Sequence, residues 1–124
     1  MAKMKRNEIG RLGEEMAANF LKNKGFNIVE TNYRCPEGEI DIVARQNKLL
    51  VFVEVRTKTS RLFGSPEESV TQVKKRRMIA TAQYYLQSSC ENPPQWRIDF
   101  IAVEMDATYK PRRIELFENV VNEI

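Results

Sequence analysis

Ile9, Leu12, Met16 and Phe20 recur at the spacing of one helix face, and Ala17 and Leu21 widen the stripe. The pattern predicts a first helix from about Asn7 to Lys24, with Gly25 as its stop. The period then changes. Phe26 to Tyr33, Glu39 to Arg45 and Leu49 to Thr57 read as strands. Cys35-Pro36-Glu37-Gly38 carries turn chemistry between the first two. Gln46, Asn47 and Lys48 form a tight turn between the second and third, where Asn47 tolerates the positive φ required. Thr57 to Glu67 is a polar loop with Gly64 and Pro66, and Glu68 to Gln87 reads as a second helix. Asn92-Pro93-Pro94 breaks the chain before a strand from Trp96 to Met105 and a short last strand from Arg113 to Phe117. The order αβββα followed by β elements argues for an α/β fold, a mixed sheet flanked by helices.

Two strands hold carboxylates that their surroundings do not favour. Leu49 to Arg56 is apolar almost to its end, and alternation puts Val51, Val53 and Val55 on one face and Phe52, Glu54 and Arg56 on the other. A charge at Glu54 is costly there unless it is paired or bound to a cation. On the preceding strand Glu39 and Asp41 share a face among aliphatic residues, and aspartate is a poor strand former. The hairpin brings the anomalies together. With Asn47 and Lys48 as the turn, Asp41 lies directly opposite Glu54; with Gln46 and Asn47, it lies diagonal and Glu39 takes the opposite place. Both registers keep Asp41 and Glu54 on one face. Unshielded like charges there destabilise the sheet, whereas a divalent cation reverses the sign, and oxygen-only ligands suit Mg²⁺ or Mn²⁺. The bare pattern also admits a plain ion-pair network in which Arg56 or Arg34 neutralises these acids.

Composition narrows the chemistry. A length of 124 residues suits one domain, 1–124, and 42% hydrophobic residues allow a packed core. Histidine is absent, which excludes Ser-His and Cys-His nucleophile pairs and His-rich zinc sites. Hydrolysis must then rely on carboxylates, lysine, arginine or an oxygen-bound metal. Cys35 and Cys90 are too few for a disulfide framework and read as free thiols. The N-terminal segment is charged without an apolar run, and no stretch has the length of a transmembrane helix, so the expected location is cytoplasmic, with no membrane partner. The net charge of +3 is mild, but basic residues cluster at Lys3, Lys5, Arg6 and Arg11, at Lys74, Lys75, Arg76 and Arg77, and at Lys110, Arg112 and Arg113. Such runs are either solvated faces or a polyanion footprint.

The segments GRLGEEMA, NYRCPEGEIDIVA, LLVFVEVRT, SPEESVTQVKKRR and WRIDFIAV, in this order across nearly the whole chain, resemble the YraN-like family of small bacterial proteins. That family is grouped by similarity with the PD-(D/E)XK endonuclease-like superfamily, near archaeal Holliday junction resolvases. The resemblance implies an αβββαβ restriction-endonuclease-like core. It implies a metal site in which Asp41 is the first acid, Glu54 the second and Glu14 of the first helix a further ligand. Arg56 stands where the superfamily has lysine. Arginine stays protonated and cannot act as a base, although it can hold a water or offset charge on a phosphate.

Other residues follow from their positions. Gly10 and Gly13 are unusual inside a helix, where each costs up to about 1 kcal/mol, and suggest close approach of another backbone, protein or nucleic acid. Lys74 lies one turn before Met78 on the inward line Met78, Ala82, Tyr85, so it should face the sheet near the acids. Lys75, Arg76 and Arg77 fan around the helix and are solvated or contact phosphate. Lys58, Arg61 and Phe63 sit on the loop after Arg56, where substrate contacts often occur. Phe63 either stacks on a base or anchors the loop. Asp99 reads as a structural ion pair with a neighbouring cation. The expected function is a Mg²⁺- or Mn²⁺-dependent nuclease on DNA rather than RNA, with branched DNA as a candidate substrate. Glu14, Asp41, Glu54, Arg56 and Lys74 are expected to form its site, and Lys58, Arg61, Lys74, Lys75, Arg76 and Arg77 to contact nucleic acid. The alternatives are a non-catalytic nucleic-acid-binding module and a protein-interaction scaffold with structural acids. A homodimer is expected by analogy with the resolvases.

Overall fold

The computed structural model describes residues 3–62, 64–89 and 92–120. Phe63 and Cys90, both singled out in the sequence, lie outside the described residues. Helix α1 (Arg6–Asn23) precedes strands β1 (Asn27–Cys35), β2 (Gly38–Gln46) and β3 (Leu49–Lys58). A single 3₁₀ turn (Pro66–Ser69), helix α2 (Gln72–Ser88) and strands β4 (Gln95–Met105) and β5 (Pro111–Phe117) follow. The five strands form one sheet in the order β1-β2-β3-β4-β5. Only β3 and β4 run parallel; the other pairs are antiparallel. This is the αβββαβ core with a mixed sheet that the resemblance implies.

The parallel pair explains the long apolar run in β3. A parallel connection needs a crossover, here through α2, and it leaves β3 central with both faces covered. On one face Ala17 and Leu21 of α1 pack with Ile42, Ala44, Val51, Val53, Val55, Ile101 and Val103. On the other, Met78, Ala82 and Tyr85 of α2 pack with Val43, Leu50, Phe52 and Ile98. Gly13 lets α1 settle on β3: a Cβ at that position would lie within 2.8 Å of Thr57 Cβ.

Two details differ from the sequence reading, and a third selects one of the two hairpin registers it left open. Helix α2 starts at Gln72, four residues later than expected. Pro66 instead opens the 3₁₀ turn, Val70 is extended, and Thr71 caps the helix by accepting from the Lys74 backbone N–H at 3.2 Å. A threonine cap of this kind outweighs the modest helix propensity of the residues before it. The β2–β3 turn is the two-residue one over Asn47 and Lys48, since Gln46 pairs with Leu49, and Asn47 takes φ 56°. Strict alternation along β2 fails at Asp41, because Ile40 packs on the α2 side and Ile42 on the α1 side.

Candidate functional site

The break in alternation marks a fork in the sheet. β2 and β3 pair from Gln46–Leu49 as far as Ile42–Val53 and no further. β1 stays with β2 to Cys35–Gly38, and β3 stays with β4 to Lys58–Glu104. The β1–β2 hairpin and the β3–β4 pair therefore part like two prongs, with Asp41 on one and Glu54 on the other. Strand ends that part expose backbone donors. Here Asp41 fills the gap, its Oδ2 accepting from the Val55 N–H at 2.8 Å. That bond fixes the aspartate at the root of the fork and gives a reason for so poor a strand former at this position.

A cleft of about 920 Å³ opens at the fork. Its floor holds Asp41 and Glu54, one wall is α1 with Arg6, Gly10 and Glu14, and the other is α2 with Lys74 and Arg77. Arg56 and Lys58 line it from β3. The α1 and α2 layers cover opposite faces of the sheet, so only a parting of the strands lets both reach one cleft.

Asp41 and Glu54 hydrogen-bond to each other. Burial, and after it the charge of Asp41, pushes the Glu54 carboxyl up to about 8. Asp41 is also raised by burial, against the pull of the Val55 N–H and the hydrogen bond from Glu54. The pair therefore retains a proton above the usual carboxylate range, since burial and the neighbouring carboxylate both oppose full ionisation. Glu14 is raised by burial and then by Asp41, although a hydrogen bond with Asn32 opposes this.

Arg34 and Arg56, the cations of the ion-pair alternative, are divided. Arg34 pairs with Glu39 at 3.3 Å, both exposed, and Arg56 Nη2 lies 3.1 Å from Glu54 Oε2. One guanidinium against two carboxylates leaves the pair short of positive charge, and both acids stay raised in its presence. Arg56 Nε is buried and, among the described residues, has no hydrogen-bond partner. A buried N–H donor in that state is costly.

The remaining expected residues divide. Lys58, Lys74 and Arg77 line the cleft, whereas Lys75 and Arg76 do not. Arg61 is on the loop after β3, but its guanidinium grips Glu104 of β4 through Nε at 2.6 Å and Nη2 at 2.8 Å. Arg113 joins from β5, bonding Glu104 and, at 2.7 Å, Glu67 of the 3₁₀ turn. Arg61 thus pins the loop that borders the cleft. Asp99 is fully buried and accepts from Arg97 Nε at 2.9 Å and from the Asn119 N–H, as a structural ion pair would. The sequence reading did not assign Arg6, Thr57, Thr59, Ser60 or Ser69 to the site, yet all line the cleft. For Arg6 the available signal was its helical spacing from Gly10 and Glu14.

The donor set is of the kind a hard divalent cation takes: two neighbouring carboxylates, whose ionisation is opposed first by burial and then by their own repulsion. Among the described residues no three Asp, Glu, His or Cys side chains gather closely enough to form a complete ligand cluster, so Glu14 stands apart from the two acids. Mg²⁺ commonly takes only one or two carboxylates and keeps several waters. No helix among the described residues is long and apolar enough to cross a membrane.

Comparison with known proteins agrees with the resemblance seen in the sequence. The model of Uncharacterised protein family UPF0102 matches residues 13–103. A UPF0102 protein of Dehalococcoides mccartyi is 45% identical, covering 95% of this chain and 96% of that one. Another from Moorella thermoacetica is 44% identical over 93% and 96%, and one from Caldicellulosiruptor saccharolyticus 38% over 94% and 98%. With a family match over most of its length and relatives this similar end to end, the chain belongs to the UPF0102 family.

Proposed function

We propose that this chain is a metal-dependent phosphodiesterase acting on DNA. The observation that carries the reading is the hydrogen-bonded pair Asp41–Glu54 at the root of a cleft whose rim bears Arg6, Arg56, Lys58, Lys74 and Arg77. Asp41 and Glu54 would hold Mg²⁺ or Mn²⁺, with Glu14 as an outer ligand. A cation there supplies positive charge for a phosphoryl oxygen and lowers the pKa of water, which serves a protein without histidine. Glu54 must surrender its proton before both acids can take a cation, so affinity falls as pH drops. Arg56 already has one nitrogen on Glu54, and the exposed part of its guanidinium can donate to a phosphate oxygen. Lys74 and Arg77 on one wall and Lys58 at the end of β3 hold neighbouring phosphates.

Arg56 cannot exchange a proton, which favours one second reading, a module that binds nucleic acid without cutting it. One assay separates the two. Linear, flapped and four-way DNA are incubated with the protein and Mn²⁺ beside an Asp41→Asn control. Cleavage that needs Mn²⁺ and disappears in the control supports the nuclease; salt-dependent binding without cleavage supports the binding module. Absence of both would reject the nucleic-acid reading.

A further inference from the structure

The two glycines inside α1 have different reasons for being there. At Gly13 a side chain would run into Thr57 of β3, so packing demands glycine. At Gly10 an added Cβ meets no atom of the described residues within 4 Å, and Gly10 is not among the residues with positive φ. Alanine would fit there and would favour the helix. Neither packing nor backbone conformation within the chain therefore accounts for this glycine.

Its position supplies the missing reason. Gly10 lies on the cleft wall, one turn after Arg6 and one turn before Glu14, and all three line the cleft that holds Asp41 and Glu54. The wall offers a bare stretch of helix between a guanidinium and a carboxylate, facing the cations of α2. We propose that α1 is a second contact wall for the polynucleotide, with a sugar–phosphate backbone passing across Gly10 and a phosphate seated on Arg6. This deepens the reading above and rests on it in requiring a nucleic acid in the cleft. Glu14 repels phosphate from its own end of the wall. Arg6, in the first turn of the helix where the backbone dipole is positive, attracts it. The absent side chain lets the sugar approach the helix as closely as the backbone allows. With Lys74 and Arg77 opposite, the polynucleotide is held from both sides of the acids.

The test uses the full chain and a fluorescein-labelled DNA duplex, with anisotropy read over a salt series in chelator. Gly10→Ala should melt about 2–5 °C above wild type, because it restores helix propensity without a clash, and yet bind the duplex less tightly. Gly10→Leu should weaken binding on the order of tenfold, the scale of one lost charge-assisted phosphate contact. Arg6→Ala should reduce the slope of log affinity against log salt by about one. In a parallel melt, Mg²⁺ should stabilise Gly10→Leu as it does wild type, which shows that the acids are intact. Wild-type affinity in both Gly10 variants overturns the inference and leaves the nucleic-acid reading standing. A wild-type chain that binds no DNA overturns both.

Discussion

Glu54→Gln keeps the shape of the side chain and removes the charge that the cleft resists. In the cation-free protein the Glu54 carboxyl is pushed from an ordinary 4.5 up to about 8, chiefly by burial and then by Asp41. Between those values the folded chain holds a proton that the unfolded chain has released. Stability therefore falls as pH rises, by about 1.4 kcal/mol per pH unit and about 5 kcal/mol across the whole window. That total is an upper bound, since the side chain keeps 16% exposure and water there screens part of the repulsion. Glutamine donates an N–H to Asp41 as the protonated glutamate does and cannot titrate. The variant should match wild type within about 1 kcal/mol at pH 5 and exceed it at pH 7 by at most about 3 kcal/mol. Urea unfolding in chelator at pH 5, 6, 7 and 8 measures the gap, with Trp96 as the reporter because its part-exposed ring meets the buried Phe52 edge-on at 5.9 Å. Glu104 does not interfere. Arg61 and Arg113 hold it down at about 2, so its contribution is lost only as pH falls from 4.5 through that value. Asp99 is raised by burial too but is common to both proteins, so it cancels in the difference. Parallel stability curves for wild type and Glu54→Gln would refute the argument that the two acids retain a proton.

Arg56→Lys should retain or raise cleavage, because lysine keeps the charge and can exchange a proton, whereas Arg56→Ala should lower turnover and spare cation binding. Metal titration of each variant, followed by cleavage of one branched substrate, reads both effects. Lys74→Ala should weaken DNA binding, with a salt slope smaller by about one. Its circular dichroism should be unchanged, because the Thr71 cap uses the Lys74 backbone and not its side chain. Gly13→Ala should destabilise the fold by about 1–3 kcal/mol in urea, since Thr57 must move to make room, and an unchanged midpoint would mean that α1 is not seated on β3 as described.

Much of this molecule is legible in the order of its residues. Helical spacing of Ile9, Leu12, Met16 and Phe20 marks α1, and the β2–β3 hairpin follows from Asn47, the residue in its turn that best tolerates positive φ. Once that turn is set, register propagates along the hairpin to Ile42–Val53 and so brings Asp41 and Glu54, the next residues on each strand, to the same end of it. The absence of histidine, and the oxygen-only chemistry it leaves, is also a property of the sequence alone. Other features needed the assembled fold. Alternation carried through Asp41 would continue the β2–β3 ladder, but the strands part there, since each is held by a different neighbour, β1 on one side and β4 on the other. Only that fork lets α1 and α2, on opposite faces, share a cleft. Charge runs say nothing of which cations stay at the site: Arg61 is taken by Glu104, 43 residues away, while Lys74 and Arg77 reach the cleft and Lys75 and Arg76 do not. Gly10 and Gly13 look alike in one helix, and only the placement of β3 separates them. Local periodicity sets which residues lie on a face; contacts between distant segments decide which of those faces meet, and what is left open between them.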